Sequence, residues 1–144
     1  MKEQHLGNHR QVVPAWHVVT SLILVAAIIG SFVNLSDSWD NHDNLYSASL
    51  ICLITIILAI FYFFIRSFPL KAQDRAIRAE ENLRHYVLTG KLLDNRLTIK
   101  QVIALRFASD DQLESLAKKA ANDNLPPAEI KKLVTKWRGD YHRV

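Results

Sequence analysis

The sequence predicts an all-α protein, a two-helix transmembrane hairpin followed by a small cytoplasmic helical bundle. Three observations carry that expectation. Two long apolar runs, "VVTSLILVAAIIGSFVNL" and "SLICLITIILAIFYFFI", lie close together in the first half, more than a small soluble core could bury. Charge is segregated: residues 69–144 hold 15 of the 18 Lys and Arg and 10 of the 14 Asp and Glu. Within that second half, apolar residues recur at helical spacing between capping residues and prolines. The expected divisions are a cytoplasmic N-terminal segment (1–14), the hairpin (15–68) and a cytoplasmic helical domain (69–144).

Residues 15–35 contain no Asp, Glu, Lys or Arg. At 1.5 Å per residue such a run reaches roughly 30 Å, the thickness of a hydrocarbon core. A second run of similar length ends at Arg66, giving an expected span over 45–66. Only helices satisfy their backbone internally in lipid at this length, so both are expected to cross as helices. The connecting loop, 36–44, carries three Asp and no Lys or Arg, whereas Lys2 and Arg10 precede the first span and Arg66, Lys71, Arg75 and Arg78 follow the second. The positive-inside bias then places both termini in the cytoplasm and the loop outside. Trp16 falls at the inner boundary, and Trp39 and Tyr46 at the outer one, as interface anchors. The first span is longer than the apolar region of a signal peptide and has no A-x-A-like site after it, so an uncleaved anchor is expected. Gly30 and Ser31 on the first helix, with Ser47, Ala48 and Ser49 on the second, are small enough for close helix contact. Cys52, the single cysteine, excludes a disulfide framework and reads as a small hydrophobe.

Past the second span, Pro69 predicts a kink or a fresh helix start. "LKAQDRAIRAEENLRHYVL" then places Ala72, Ala76, Ala79, Leu83 and Tyr86 at spacings of 4, 3, 4 and 3. That is a narrow apolar stripe suited to a packed neighbour, either the helix around 99–107 or a partner subunit. Thr89-Gly90 ends the helix, glycine taking the left-handed cap. Thr98 with Gln101, and Ser109 with Gln112, form two capping-box patterns. Leu113, Leu116, Ala117 and Ala120 share one face of the next helix, and "NDNLPP" breaks it. Ile130, Leu133, Val134, Trp137 and Tyr141 read as the apolar stripe of a last helix, with Trp137 in the core.

The two spans, "LRHYVLTGK", "QVIALRFASDDQL", "IKKLVTKWRGDYHRV" and the "NH" near the start resemble a family of small two-span bacterial membrane proteins that carries a domain-of-unknown-function label. The resemblance covers the whole chain, with ALRFAS and W-x-x-D-Y-x-R-V its most specific parts. It implies a bacterial inner-membrane protein with a cytoplasmic helical C-terminal domain, and supplies no activity.

No residue constellation points to catalysis. His5 and His9 share a helical spacing but lack the further convergent ligands of a zinc site, and Asp40, His42 and Asp43 cluster in the loop, where a polar exposed turn explains the same residues. The glycines form no phosphate cradle. Glu80-Glu81 and Asp110-Asp111 read as solvated helix residues, and Ser109 as a cap without a histidine base. Neither span carries an ionisable residue at its middle, which disfavours a transporter. The basic residues form two groups: Arg66, Lys71, Arg75 and Arg78 near the bilayer, and Lys118, Lys119, Lys131, Lys132, Lys136 and Arg138 on the last helices. The expected function is therefore a non-enzymatic accessory or scaffold subunit of a larger inner-membrane complex, touching other integral membrane proteins and anionic lipids, with no cofactor, metal or small-molecule substrate. The alternative is a basic docking domain for ribosome, RNA or anionic lipid near a protein-translocation machine.

Overall fold

The structure, a computed structural model, describes residues 4–8 and 12–141, so Lys2, His9 and Arg10 lie outside the described residues. Among the described residues five helices follow one another: α1 (Ala15–Asp37), α2 (His42–Thr89), α3 (Ile99–Leu105), α4 (Asp110–Asn122) and α5 (Pro127–Leu133). Among the described residues there is no strand, only an isolated antiparallel bridge between Ala108 and Trp137. The chain divides into two units, Val12–Phe68 and Pro69–Val144 together with Met1–Gln11. Helix α2 does not restart at Pro69, contrary to one reading of the sequence; it continues through the proline. A proline removes one backbone donor and crowds one carbonyl, a local cost that long helical runs on both sides outweigh.

In the unit Val12–Phe68, α1 begins with a π-helical turn over Ala15–Thr20, where the Thr20 hydroxyl donates to the Ala15 carbonyl at 2.9 Å. α1 runs to Asp37 and α2 starts at His42, so the expected nine-residue loop narrows to 38–41. Asn41 holds the new helix start: its side-chain oxygen accepts from the Asp43 N–H at 3.1 Å, and its carbonyl accepts from Leu45 at 2.9 Å. α1 and the first part of α2 run antiparallel. The Ser31 and Thr55 hydroxyls meet at 3.0 Å, and Ser21 meets Tyr62 at 2.6 Å. Trp16 stacks on Tyr62, ring centres 4.8 Å apart and planes within 3°. Ser31, Ala48, Cys52 and Thr55 are buried in this contact. Of the other small residues expected there, Gly30, Ser47 and Ser49 are exposed; Ser47 and Ser49 hydrogen-bond to carbonyls of their own helix. Both helices are long and apolar enough to cross a membrane, and their most apolar windows are only 6% and 17% buried.

In the other unit the core lies among α3, α4 and α5, where Leu97, Val102, Leu105, Phe107, Leu113 and Ile130 are fully buried. Gly90, at φ 72°, closes α2 in the left-handed conformation that favours glycine. The Thr98–Gln101 capping box forms in both directions, and Gln101 also donates to the Leu125 carbonyl at 2.9 Å. Leu113, Leu116, Ala117 and Ala120 form the buried face of α4, as their spacing predicts. The second expected capping box does not form: Ser109 makes no side-chain cap bond. Gln112 reaches instead to the end of α5, donating to the Leu133 carbonyl at 2.6 Å and accepting from the Thr135 N–H at 3.1 Å. α5 therefore stops at Leu133, and the expected stripe 130–141 breaks up. Leu133 and Tyr141 are exposed, and Val134 is buried from an extended backbone (φ −70°, ψ 115°). Trp137 is half-buried rather than central, its ring 4.9 Å from that of Phe107, and the Arg138 N–H donates to the Phe107 carbonyl at 2.8 Å.

Candidate functional site

The stretch of α2 after Pro69 has two unlike faces. Ile77, Glu81 and His85, each four residues apart, are buried. Ala72, Ala76, Ala79, Leu83 and Tyr86 are exposed, so the expected contact of this stripe with 99–107 is not made. Alanines offer too little area to compete for the core with Ile77, whose neighbour Arg84 ties the buried face down.

Arg84 is the centre of that attachment. Its guanidinium donates to Glu81 at 2.9 Å, to Asp110 at 2.7 Å and to the Ala108 carbonyl at 2.7 Å, joining α2 to the α3–α4 turn. Charge-assisted bonds from a planar fork fix orientation as well as energy. Glu81, read from sequence as solvated, is only 5% exposed and also faces Arg138 at 3.5 Å. Asp110 and Asp111 are exposed as expected but have assigned partners, Arg84 and Lys136. Close by, Arg106 approaches Asp140 at 3.3 Å. The Gln4 amide brackets the Asp140 backbone, donating to its carbonyl and accepting from its N–H, both at 2.9 Å. Glu81, Arg106, Arg138 and Asp140, with Gln73, Ala76, Glu80 and Tyr141, line a cleft of about 480 Å³.

A second, smaller hollow of about 270 Å³ lies beside the end of α2, lined in part by His85, Lys91, Asp94, Arg96 and Glu114. His85 Nδ1 sits 2.6 Å from the Lys91 carbonyl and 3.2 Å from the Thr89 hydroxyl, holding the turn after Gly90. The Arg96 guanidinium, bonded at 2.7 Å to Asp94, lowers that carboxyl to about 2. Lys118 similarly holds Glu114 below the ordinary carboxylate range through a 2.7 Å hydrogen bond.

The basic residues do not act as one group. Lys118 pairs with Glu114, Lys132 with Glu129 at 2.8 Å, Lys136 with Asp111 at 3.3 Å and Arg138 with Glu81. Lys131 lies over the Phe107 ring at 5.6 Å, and Lys119 is exposed on α4. Lys71, Arg75 and Arg78 are exposed on α2, while Arg66 is half-buried in the other unit. Of the expected anchors, Trp39 and Tyr46 are exposed beside the 38–41 turn, and Trp16 is half-buried by its stack on Tyr62. Among the described residues no three His, Cys, Asp or Glu converge as a metal site. Sequence reasoning passed over Arg84, Arg106 and Asp140, because charged side chains read as solvated until a packed neighbour is known.

No curated protein and no solved structure matches the chain. A family of unknown function, DUF6526, matches it over residues 1–144. The chain belongs to that family.

Proposed function

We propose that the protein is a non-catalytic accessory or scaffold subunit of a bacterial inner-membrane complex. α1 and the first part of α2 form the transmembrane hairpin, with both termini in the cytoplasm. The helices after Pro69 form the cytoplasmic module that meets partner proteins. The observation that carries the reading is the exposure of apolar residues along both long helices: Leu22, Ile23, Ile29, Phe61, Phe63 and Ile65 all face outward. Water strongly disfavours so large a surface, and lipid does not.

A second observation supports the topology. Gln4 and Asp140 meet before and after both long helices, in the unit that joins Met1–Gln11 to Pro69–Val144. Such a contact needs an even number of crossings, which agrees with the charge asymmetry. The cleft's carboxylates and guanidiniums are paired with one another, Glu81 with Arg138 and Asp140 with Arg106, which supports a structural role there, and Lys71, Arg75 and Arg78 suit contact with anionic head groups. The ribosome or RNA alternative draws less support, because most of the second basic group is engaged by neighbouring carboxylates.

Reporter fusions test the topology: one after Val144 should report the cytoplasm and one at Asn41 the exterior. The reverse result removes the architecture. Purification in mild detergent tests the role, and stoichiometric recovery with one membrane complex is the expected outcome. Recovery instead with ribosomal proteins, lost on adding salt, would favour the docking alternative.

A further inference from the structure

The exposed face of α2 between Ala72 and Tyr86 has the register of a coiled-coil seam. With Ala76 and Leu83 at a positions, Ala72, Ala79 and Tyr86 fall at d positions. The residues of α2 that its own unit buries, Ile77, Glu81 and His85, are b, f and c positions, on the opposite side. Leu83 is 63% exposed, Tyr86 53%, and Val87, an e position beside the seam, 74%. Ala76, with the flanking Glu80, borders the cleft beside Arg106 and Asp140; the rest of the apolar face points away from the chain's own packing, and its content grows from alanines to large side chains along the helix.

We infer that this seam pairs with the same seam of a second copy, in parallel and in register, an inference that rests on the membrane-anchored reading above. Flanking charge selects that occupant. Arg75 is a g position and Glu80 the following e position, the two sites that face each other between parallel helices. Both are exposed, and among the described residues neither has an ion pair within the chain. A two-fold axis matches each Arg75 with the other copy's Glu80, so one sequence supplies both halves twice. An antiparallel pair would set Glu80 opposite other e positions and lose that match.

Insertion in a membrane supplies the direction, because two copies with one topology present α2 the same way. Two heptads make a weak zipper in free solution. Confinement to one plane at fixed orientation raises the effective concentration that a short seam needs. The small residues at 72, 76 and 79 let the two backbones come close, and Leu83 and Tyr86 add apolar area.

Disulfide trapping of the full chain in native membranes tests the pairing, in a Cys52→Ser background. Ala79→Cys, at d, should form a cross-linked homodimer on oxidation, and Arg78→Cys, at c, should not. Adding Arg75→Glu to the Ala79→Cys chain should remove most of the product, and adding Glu80→Arg as well should restore it. Equal trapping at 78 and 79, no recovery in the charge swap, or a cross-link to a different protein in place of the second copy overturns the inference. Alkaline carbonate extraction of the same membranes is read separately. Release of the chain overturns the membrane reading itself, whereas retention without an Ala79 cross-link overturns only the self-pairing.

Discussion

Arg84 and Arg96 are both paired arginines, yet their surroundings give them different weight. The Arg84 side chain is 11% exposed and its partner Glu81 7%, so neither can fall back on water if the other is lost. Removing one member of such a buried pair costs about 3 kcal/mol or more. Arg84→Ala should therefore lower the melting temperature of the detergent-solubilised protein markedly. Asp110→Asn should cost less than about 1 kcal/mol, because that carboxylate is mostly in water. If the two variants melt alike, the Glu81 pairing contributes little. Arg96 and Asp94 behave otherwise. The folded carboxyl lies near 2, below its ordinary 3.8, so its ionised form is favoured by folding. That contribution is complete above the ordinary value and disappears as pH falls from there toward 2. Titration followed by carboxyl NMR should show the depressed midpoint, and Arg96→Gln should return it toward 3.8.

Among the elements, α5 shows how one side chain redraws a boundary. Gln112 reads in sequence as the partner of Ser109 in a capping box, three residues on. Local spacing reveals which residues are near in the chain and nothing about which helix end lies across the fold. In the structure the same amide caps Leu133 and Thr135 from α4, and the backbone leaves the helix there to bridge Ala108. Gln112→Ala should cost about 1 kcal/mol, comparable with Thr98→Ala at a conventional N-cap. Its specific sign is loss of amide-exchange protection at Thr135 and Arg138 together; loss at Thr135 alone would mean the bridge stands without the cap. The elements that were legible, α4 and the Thr98–Gln101 cap, are those whose determinants lie within a few residues. Gly90 belongs with them, since a positive φ is a local demand.

Across the whole molecule, the N-terminal segment and the C-terminal tail belong to one unit, although two long helices separate them in sequence. Their described link is the paired contact of Gln4 with Asp140. Gln4→Ala should speed exchange of the Asp140 amide while leaving the α3–α5 core amides unchanged. Equal protection in both proteins would show that the tail is held by Arg106 and not by the N-terminal segment.

The sequence by itself determined the helical class, the two apolar helices, the α2 end at Gly90 and the buried face of α4, because periodicity, length and caps are local properties of a chain. Tertiary structure alone decided which side of α2 is buried. The alanine stripe has the more regular spacing, but Ile77 offers more area and Glu81 with Arg84 finds acceptors on the α3–α4 turn. It also decided that the residues after Leu133 leave the helix, since Gln112 captures that end and the Phe107 carbonyl takes the Arg138 N–H. Both outcomes depend on where backbone and side-chain partners lie after packing, and no window of sequence contains that distance.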